Sequence, residues 1–62
     1  MKINSYYPNN NPVPKGKIRF VIIYEGLGIR FKTDIDEVDE ISAIAYFKKF
    51  YPSATLLSIN KK

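Results

Sequence analysis

The sequence contains no cysteine, no histidine and no tryptophan. Disulfides, the usual zinc ligand sets and thiol nucleophiles are therefore excluded, and so is the side chain that most often acts as a general base. The serines do not stand in a context typical of a nucleophile elbow. We therefore expect no enzyme activity, no metal site, no cofactor and no small-molecule substrate.

Long hydrophobic runs are absent as well. The longest apolar run, Phe20 to Tyr24, is far shorter than the ~20 residues that a membrane helix needs. Residues 1–11 also lack the apolar core of a signal peptide, so we expect no leader and no membrane partner. Because small secreted domains are usually rich in disulfides, a cytoplasmic location is favoured. The Asn-, Ile-, Lys- and Tyr-rich composition suits an AT-rich bacterial or phage genome.

With 62 residues, the chain is long enough for one small domain with a thin core. Without disulfides or metals, its stability must come from apolar packing or from self-association. The net charge of +4 is unevenly distributed. Residues 1–33 carry a net charge of +5, residues 34–47 carry −5, and residues 48–62 carry +4.

Residues 1–14 are predicted to form an extended arm rich in tyrosine, asparagine and proline. Pro8, Pro12 and Pro14 remove backbone donors and favour extended conformations, and no helical or strand period is present. We expect no regular element before Lys15. Residues 15–62 are predicted to form a single α+β domain.

A β-hairpin is the strongest structural signal in the chain. Apolar and polar residues alternate from Lys17 to Tyr24, and a second alternating run begins at Ile29. The intervening segment 25–28 contains two glycines, which suits a tight turn. A turn centred on this segment predicts the cross-strand pairs Tyr24 with Ile29, Ile22 with Phe31, Phe20 with Thr33, and Arg19 with Asp34.

An amphipathic helix is predicted after the hairpin. Asp36, Glu37, Asp39 and Glu40 would complement the helix dipole, with Thr33, Asp34 or Asp36 as the capping residue. Pro52 would end the helix near Tyr51. A stripe that is apolar except for its first member recurs at helical spacing and comprises Glu40, Ala43, Ile44, Phe47, Phe50 and Tyr51.

The closing element is a strand from Ala54 to Asn60, with Leu57 and Ile59 predicted on its core face. The handedness rule for crossover connections then predicts a ββαβ fold. Its three-stranded mixed sheet has the order 2-1-3, with one helix on one face. The predicted core comprises Ile18, Phe20, Ile22, Ile29, Phe31, Ile44, Phe47, Tyr51, Leu57 and Ile59. This order of elements resembles that of small ribosomal and phage-encoded modules, a likeness of architecture that assigns no site residue.

The second face of the hairpin is the candidate binding surface, and three interpretations of it remain open. The first is nucleic-acid binding, in which cations meet phosphates and aromatic rings stack on bases, through Lys17, Arg19, Arg30, Lys32, Tyr6 and Tyr7. The second is a protein-interaction module, such as an adaptor, an inhibitor or a homodimer, that uses Val21 and Ile23 or a sheet edge. The third is a solvated basic face without a partner.

Overall fold

The sheet has four strands, one more than the three predicted. A computed structural model describes residues 3–62, so the first two residues of the predicted arm lie outside the described part. The elements are β1 (Ser5–Tyr7), β2 (Ile18–Gly26), β3 (Ile29–Glu37), α1 (Glu40–Phe50) and β4 (Thr55–Lys61). The strand order is β1-β3-β2-β4. The hairpin and the closing strand keep their predicted relative order, with β2 between β3 and β4.

The additional strand comes from the N-terminal arm. β1 pairs with β3 in parallel, with Ser5 opposite Phe31 and Tyr7 opposite Thr33. Asn4 extends this pairing, since its N–H donates to the Arg30 carbonyl (2.9 Å) and its Oδ1 accepts from the Arg30 N–H (3.0 Å). The expectation of no regular element before Lys15 is therefore wrong. A three-residue strand is too short to show a period in the sequence.

The hairpin turn lies one residue later than predicted. Gly26 pairs with Ile29, so the two-residue loop is Leu27-Gly28. Both residues have positive φ, 55° and 75°, as a type I′ turn requires. The register is therefore displaced by two residues, and Tyr24 lies opposite Phe31 instead of Ile29. Because the displacement is even, every side chain keeps its predicted face.

The displaced register lengthens β3 to Glu37 and moves the start of the helix. Asp34 and Asp36 belong to β3, and the capping residue of α1 is Asp39, whose Oδ1 accepts a hydrogen bond from the Ser42 N–H (2.7 Å). The proposed caps Thr33, Asp34 and Asp36 are therefore wrong. At the other end, the Tyr51 N–H donates to the Phe47 carbonyl (2.8 Å).

The core lies between α1 and the central strands. Its buried members are Phe20, Ile22, Tyr24, Ile35, Ala43 and Phe47. The Tyr24 ring stacks on Phe31, with 5.3 Å between centroids, and lies 5.2 Å from the Phe47 ring. Predicted core residues near the open ends of the domain are instead exposed, to 42% for Ile29 and 37% for Tyr51.

A β-bulge in β4 overturns the prediction for Leu57. Tyr24 pairs with Leu56, whereas the preceding residue, Ile23, pairs with Ser58, which leaves Leu57 as the extra residue. The bulge reverses the alternation at this point. Leu56 and Ile59 consequently pack against the core, and Leu57 is 37% exposed.

No helix within residues 3–62 is long and apolar enough to cross a membrane.

The turn provides a test of the register. Leu27 is fully exposed in a left-handed conformation, in which its Cβ atom is too close to the following carbonyl oxygen. We expect Leu27→Asn to raise the free energy of unfolding by about 1 kcal/mol, since asparagine tolerates this conformation and no packing is lost. Urea denaturation measures the change. Leu27→Val should lower stability, and an equal effect of both substitutions would contradict the turn assignment.

Candidate functional site

The sheet face opposite α1, here called the open face, brings together most of the predicted site residues. The register places on it Tyr6, Arg19, Val21, Ile23, Glu25, Arg30, Lys32, Asp34, Asp36, Ser58, Asn60 and Lys62. Of the other two predicted residues, Lys17 precedes β2 and lines a depression together with Asp34 and Asp36 at the margin of this face. Tyr7 is on the helix side, because it pairs with the buried Thr33.

The Asp34 carboxylate is the centre of a hydrogen-bond network on this face. Its side chain is 0% exposed. It accepts hydrogen bonds from the Tyr6 hydroxyl (3.1 Å), the Asn9 backbone N–H (2.9 Å) and the Lys62 ammonium (2.8 Å). The Lys62 ammonium also donates to the Tyr6 hydroxyl (3.1 Å). One carboxylate thus connects the N-terminal arm with the end of β4.

Two opposing effects act on the pKa of Asp34. Burial acts to raise the pKa, but hydrogen bonds from Lys62, the Asn9 backbone and Tyr6 outweigh it and lower the pKa below its ordinary value. The same contact raises the pKa of the Lys62 ammonium. Both groups are therefore held in their charged forms at neutral pH.

Asp36 forms a second contact of the same kind with Arg19. The guanidinium donates through Nε to one carboxylate oxygen (2.8 Å) and through Nη2 to the other (2.9 Å), a bidentate geometry. The two side chains are only 12% and 13% exposed. The hydrogen bond from Arg19 lowers the pKa of Asp36 despite partial burial. The Asn9 amide also donates to Asp36 (3.4 Å), which fixes the arm at a second point.

The two remaining predicted cations on the open face also have partners. Arg30 Nε lies 3.4 Å from a Glu25 carboxylate oxygen, in a pair that is 39% exposed on each side. The Lys32 ammonium lies 4.5 Å from the centroid of the Tyr6 ring, within the range of a cation–π contact. The open face therefore carries mixed charge, with four cations and three carboxylates (Glu25, Asp34 and Asp36).

The apolar residues predicted as a protein interface are partly covered. Val21 and Ile23 are half-buried at the centre of the open face. Val21 lies between Asp34 on β3 and Asn60 on β4. Since Lys62 lies beside Arg19 on the β4 side, its ammonium reaches Asp34 by crossing β2 next to Val21. The aliphatic part of the Lys62 side chain thus covers part of the apolar surface of Val21 that the sequence predicted to be exposed.

The outer edge of β4 has no such internal partner. Within residues 3–62, no strand lies beyond β4. Backbone groups in an antiparallel pair point alternately toward and away from the neighbouring strand. The Lys62 N–H donates to the Arg19 carbonyl (2.9 Å), so the backbone groups of Lys61 and Ile59 point outward. The opposite edge, β1, is only three residues long and is followed by Pro8.

Two depressions flank the helix. One, of about 430 Å³, lies between the start of α1 and β4 and is lined by Ile18, Phe20, Asp39, Glu40 and residues 59–61. The other, of about 250 Å³, lies on the β3 side and includes Tyr46. Within residues 3–62, no three or more histidine, cysteine, aspartate or glutamate side chains are grouped so that they could hold a metal ion.

Comparison of the chain with protein-family models, with curated proteins and with solved structures finds no match. The functional argument therefore depends on the surfaces themselves.

The Asp34 network predicts a pH-dependent contribution to stability. Because the folded-state pKa lies below the unfolded value of about 3.9, the contribution is present above that value and is lost as the pH falls through the folded pKa. We expect Asp34→Asn to lower the free energy of unfolding at pH 7 by about 1 to 3 kcal/mol, since a buried charged acceptor is replaced.

Urea denaturation of the wild type and Asp34→Asn at pH 7 and at pH 3 tests this prediction. The difference between the two proteins should shrink at the lower pH. Glu37→Gln is a matched control, because Glu37 is on the helix side of β3 and takes no part in the network. A deficit for Asp34→Asn that is equally large at both pH values would contradict the assignment.

Proposed function

We propose that this chain is a small non-catalytic protein-interaction module that binds its partner through the outer edge of β4. The observation that supports this proposal is the outward direction of the Ile59 and Lys61 backbone groups along a seven-residue edge strand. Such an edge is a template for a further strand, which would satisfy these groups with backbone hydrogen bonds.

The side chains of β4 suit this mode of binding. Leu57 is exposed at the bulge, and Ile59 is half-buried beside the depression at the start of α1. Backbone pairing supplies affinity in this mode, while side chains and adjacent depressions supply specificity. Lys61 is the one charged residue in the strand, and β4 contains no proline. The bulge at Leu57 and the charge of Lys61 are the protective features of this edge, and the backbone groups of Ile59 and Lys61 stay available for pairing beside them.

Nucleic-acid binding through the open face stays a prediction, and the geometry favours it less. Binding of phosphates requires cations that are available for exchange with the solvent ions. Arg19 is engaged by Asp36, Arg30 by Glu25, and Lys32 by the Tyr6 ring. A nucleic acid would have to compete with these contacts and approach three carboxylates on the same surface.

Titration of labelled single- and double-stranded oligonucleotides at two salt concentrations separates the two classes. We expect no binding at physiological salt, and only weak binding at low salt that Arg30→Ala does not change. Displacement of counterions from about four phosphates would instead give a slope near −3 for single strands in a plot of log affinity against log salt. That slope, reduced by Arg30→Ala, would favour the nucleic-acid hypothesis.

The edge itself is tested by Leu57→Lys, which places a charge on β4 at an exposed position. We expect the tagged wild type to retain a protein, either another copy of the chain or a different chain, and Leu57→Lys to lose it. Val38→Lys is the matched control, since Val38 is exposed between β3 and α1. Equal retention by both variants would contradict binding at the β4 edge.

A further inference from the structure

We infer that the partner at the β4 edge is a second copy of this chain, paired antiparallel through β4 about a two-fold axis to form an eight-stranded sheet. This inference rests on the proposed function and names the partner for the same edge. An antiparallel pair of identical strands is self-complementary, since each copy offers the other the same donors and acceptors. The β1 edge is too short to offer this pairing.

The orientation of α1 favours a second copy of the chain, and not an unrelated strand, as the partner at the β4 edge. Glu40 lines the depression shared with residues 59–61 of β4, whereas Tyr46 lines the depression shared with residues 34–37 of β3. The flank of the helix that contains Glu40 therefore faces β4. Helical spacing places Ile44 and Lys48 on the same flank, four and eight residues further along.

This flank is electrostatically complementary to its own two-fold copy. It carries an acid at the start of α1, an apolar residue at the centre and a base in the last turn. A two-fold axis perpendicular to the joined sheet places both helices on the same face and antiparallel to each other. Glu40 of each copy then faces the partner's Lys48, and the two Ile44 side chains lie nearest the axis.

The same symmetry accounts for the exposed side chain on the edge. Leu57 lies next to the centre of β4, and the inferred axis passes beside it and its counterpart. Burial of this pair removes apolar surface from water in both copies at once. The charge pairs act across the groove between the helices and are screened by salt, so dimerisation should weaken as salt increases.

Sedimentation equilibrium over a range of concentrations tests the inference with the full chain. We expect a monomer–dimer equilibrium in the wild type. Lys48→Glu should weaken the dimer about tenfold at low salt, because two attractive pairs become repulsive. Glu40→Lys should act similarly, and the double substitution should restore dimerisation because it exchanges the charges. Lys49→Glu is the control, with the same change of net charge on a different side of α1.

A cross-linking experiment locates the axis. The chain has no cysteine, so Leu57→Cys introduces a single thiol. We expect oxidation to yield a disulfide-linked dimer of Leu57→Cys and little of Val38→Cys. Equal effects of Lys48→Glu and Lys49→Glu, or cross-linking only through Val38→Cys, would overturn the two-fold arrangement.

The failure of this inference is distinguishable from failure of the proposed function. A wild type that stays monomeric at every concentration, yet retains a different protein that Leu57→Lys loses, would overturn the second copy as partner and support the edge as a binding site. A monomer that retains no protein would overturn both. A dimer that Leu57→Lys leaves intact would place self-association elsewhere and also overturn the inference.

Discussion

The buried carboxylate of Asp34 imposes a constraint on three separate parts of the chain. A charge withdrawn from water is strongly destabilising unless hydrogen-bond donors replace its solvent. These donors come from Tyr6 and Asn9 in the N-terminal arm and from Lys62 after β4. The arm must therefore lie along β3, and the Lys62 side chain must cross β2 to reach Asp34. The position of β1 as a fourth strand follows from this requirement as much as from its three backbone pairs.

The charged side chains of the open face already have partners within the chain, and this makes the open face less available for binding than the β4 edge. Charges that are already paired within a protein gain little from a further partner, since each new contact replaces an existing one. The backbone groups on the outer side of β4 are in the opposite situation, because only water satisfies them in the single chain. The helix flank that faces this strand across a depression has an acid in its first turn and a base in its last turn. The charged groups of the open face are thus paired within the chain and the outer backbone groups of β4 are not, which is why we propose binding at the edge.

Local patterns in the sequence predicted the hairpin, the helix, the closing strand and the relative order of those three strands. They failed where distant contacts decide the structure. The alternation placed Asp34 in the second strand, but Asp36 was assigned to the helix start because aspartate disfavours strands. Its place in β3 depends on pairing with Arg19, 17 residues away along the chain. Leu27 was not predicted to occupy a left-handed turn position, since few leucines do. The bulge at Leu57 has no sequence signal, and for this reason Leu57 was predicted on the wrong face of β4.

The separation of the Asp34 donors along the chain also has a consequence for the order of folding. Tyr6 and Lys62 each lie 28 residues from Asp34, on opposite sides, whereas β2 and β3 are joined by two residues. Closure of the short loop is fast, and contacts between distant residues form later, after more chain entropy has been lost. The hairpin and helix are thus expected to assemble before the termini attach. Contacts made after the transition state slow unfolding without accelerating folding. The hydrogen bonds from Tyr6 and Lys62 to Asp34 should therefore lower the unfolding rate of the domain and leave its folding rate unchanged.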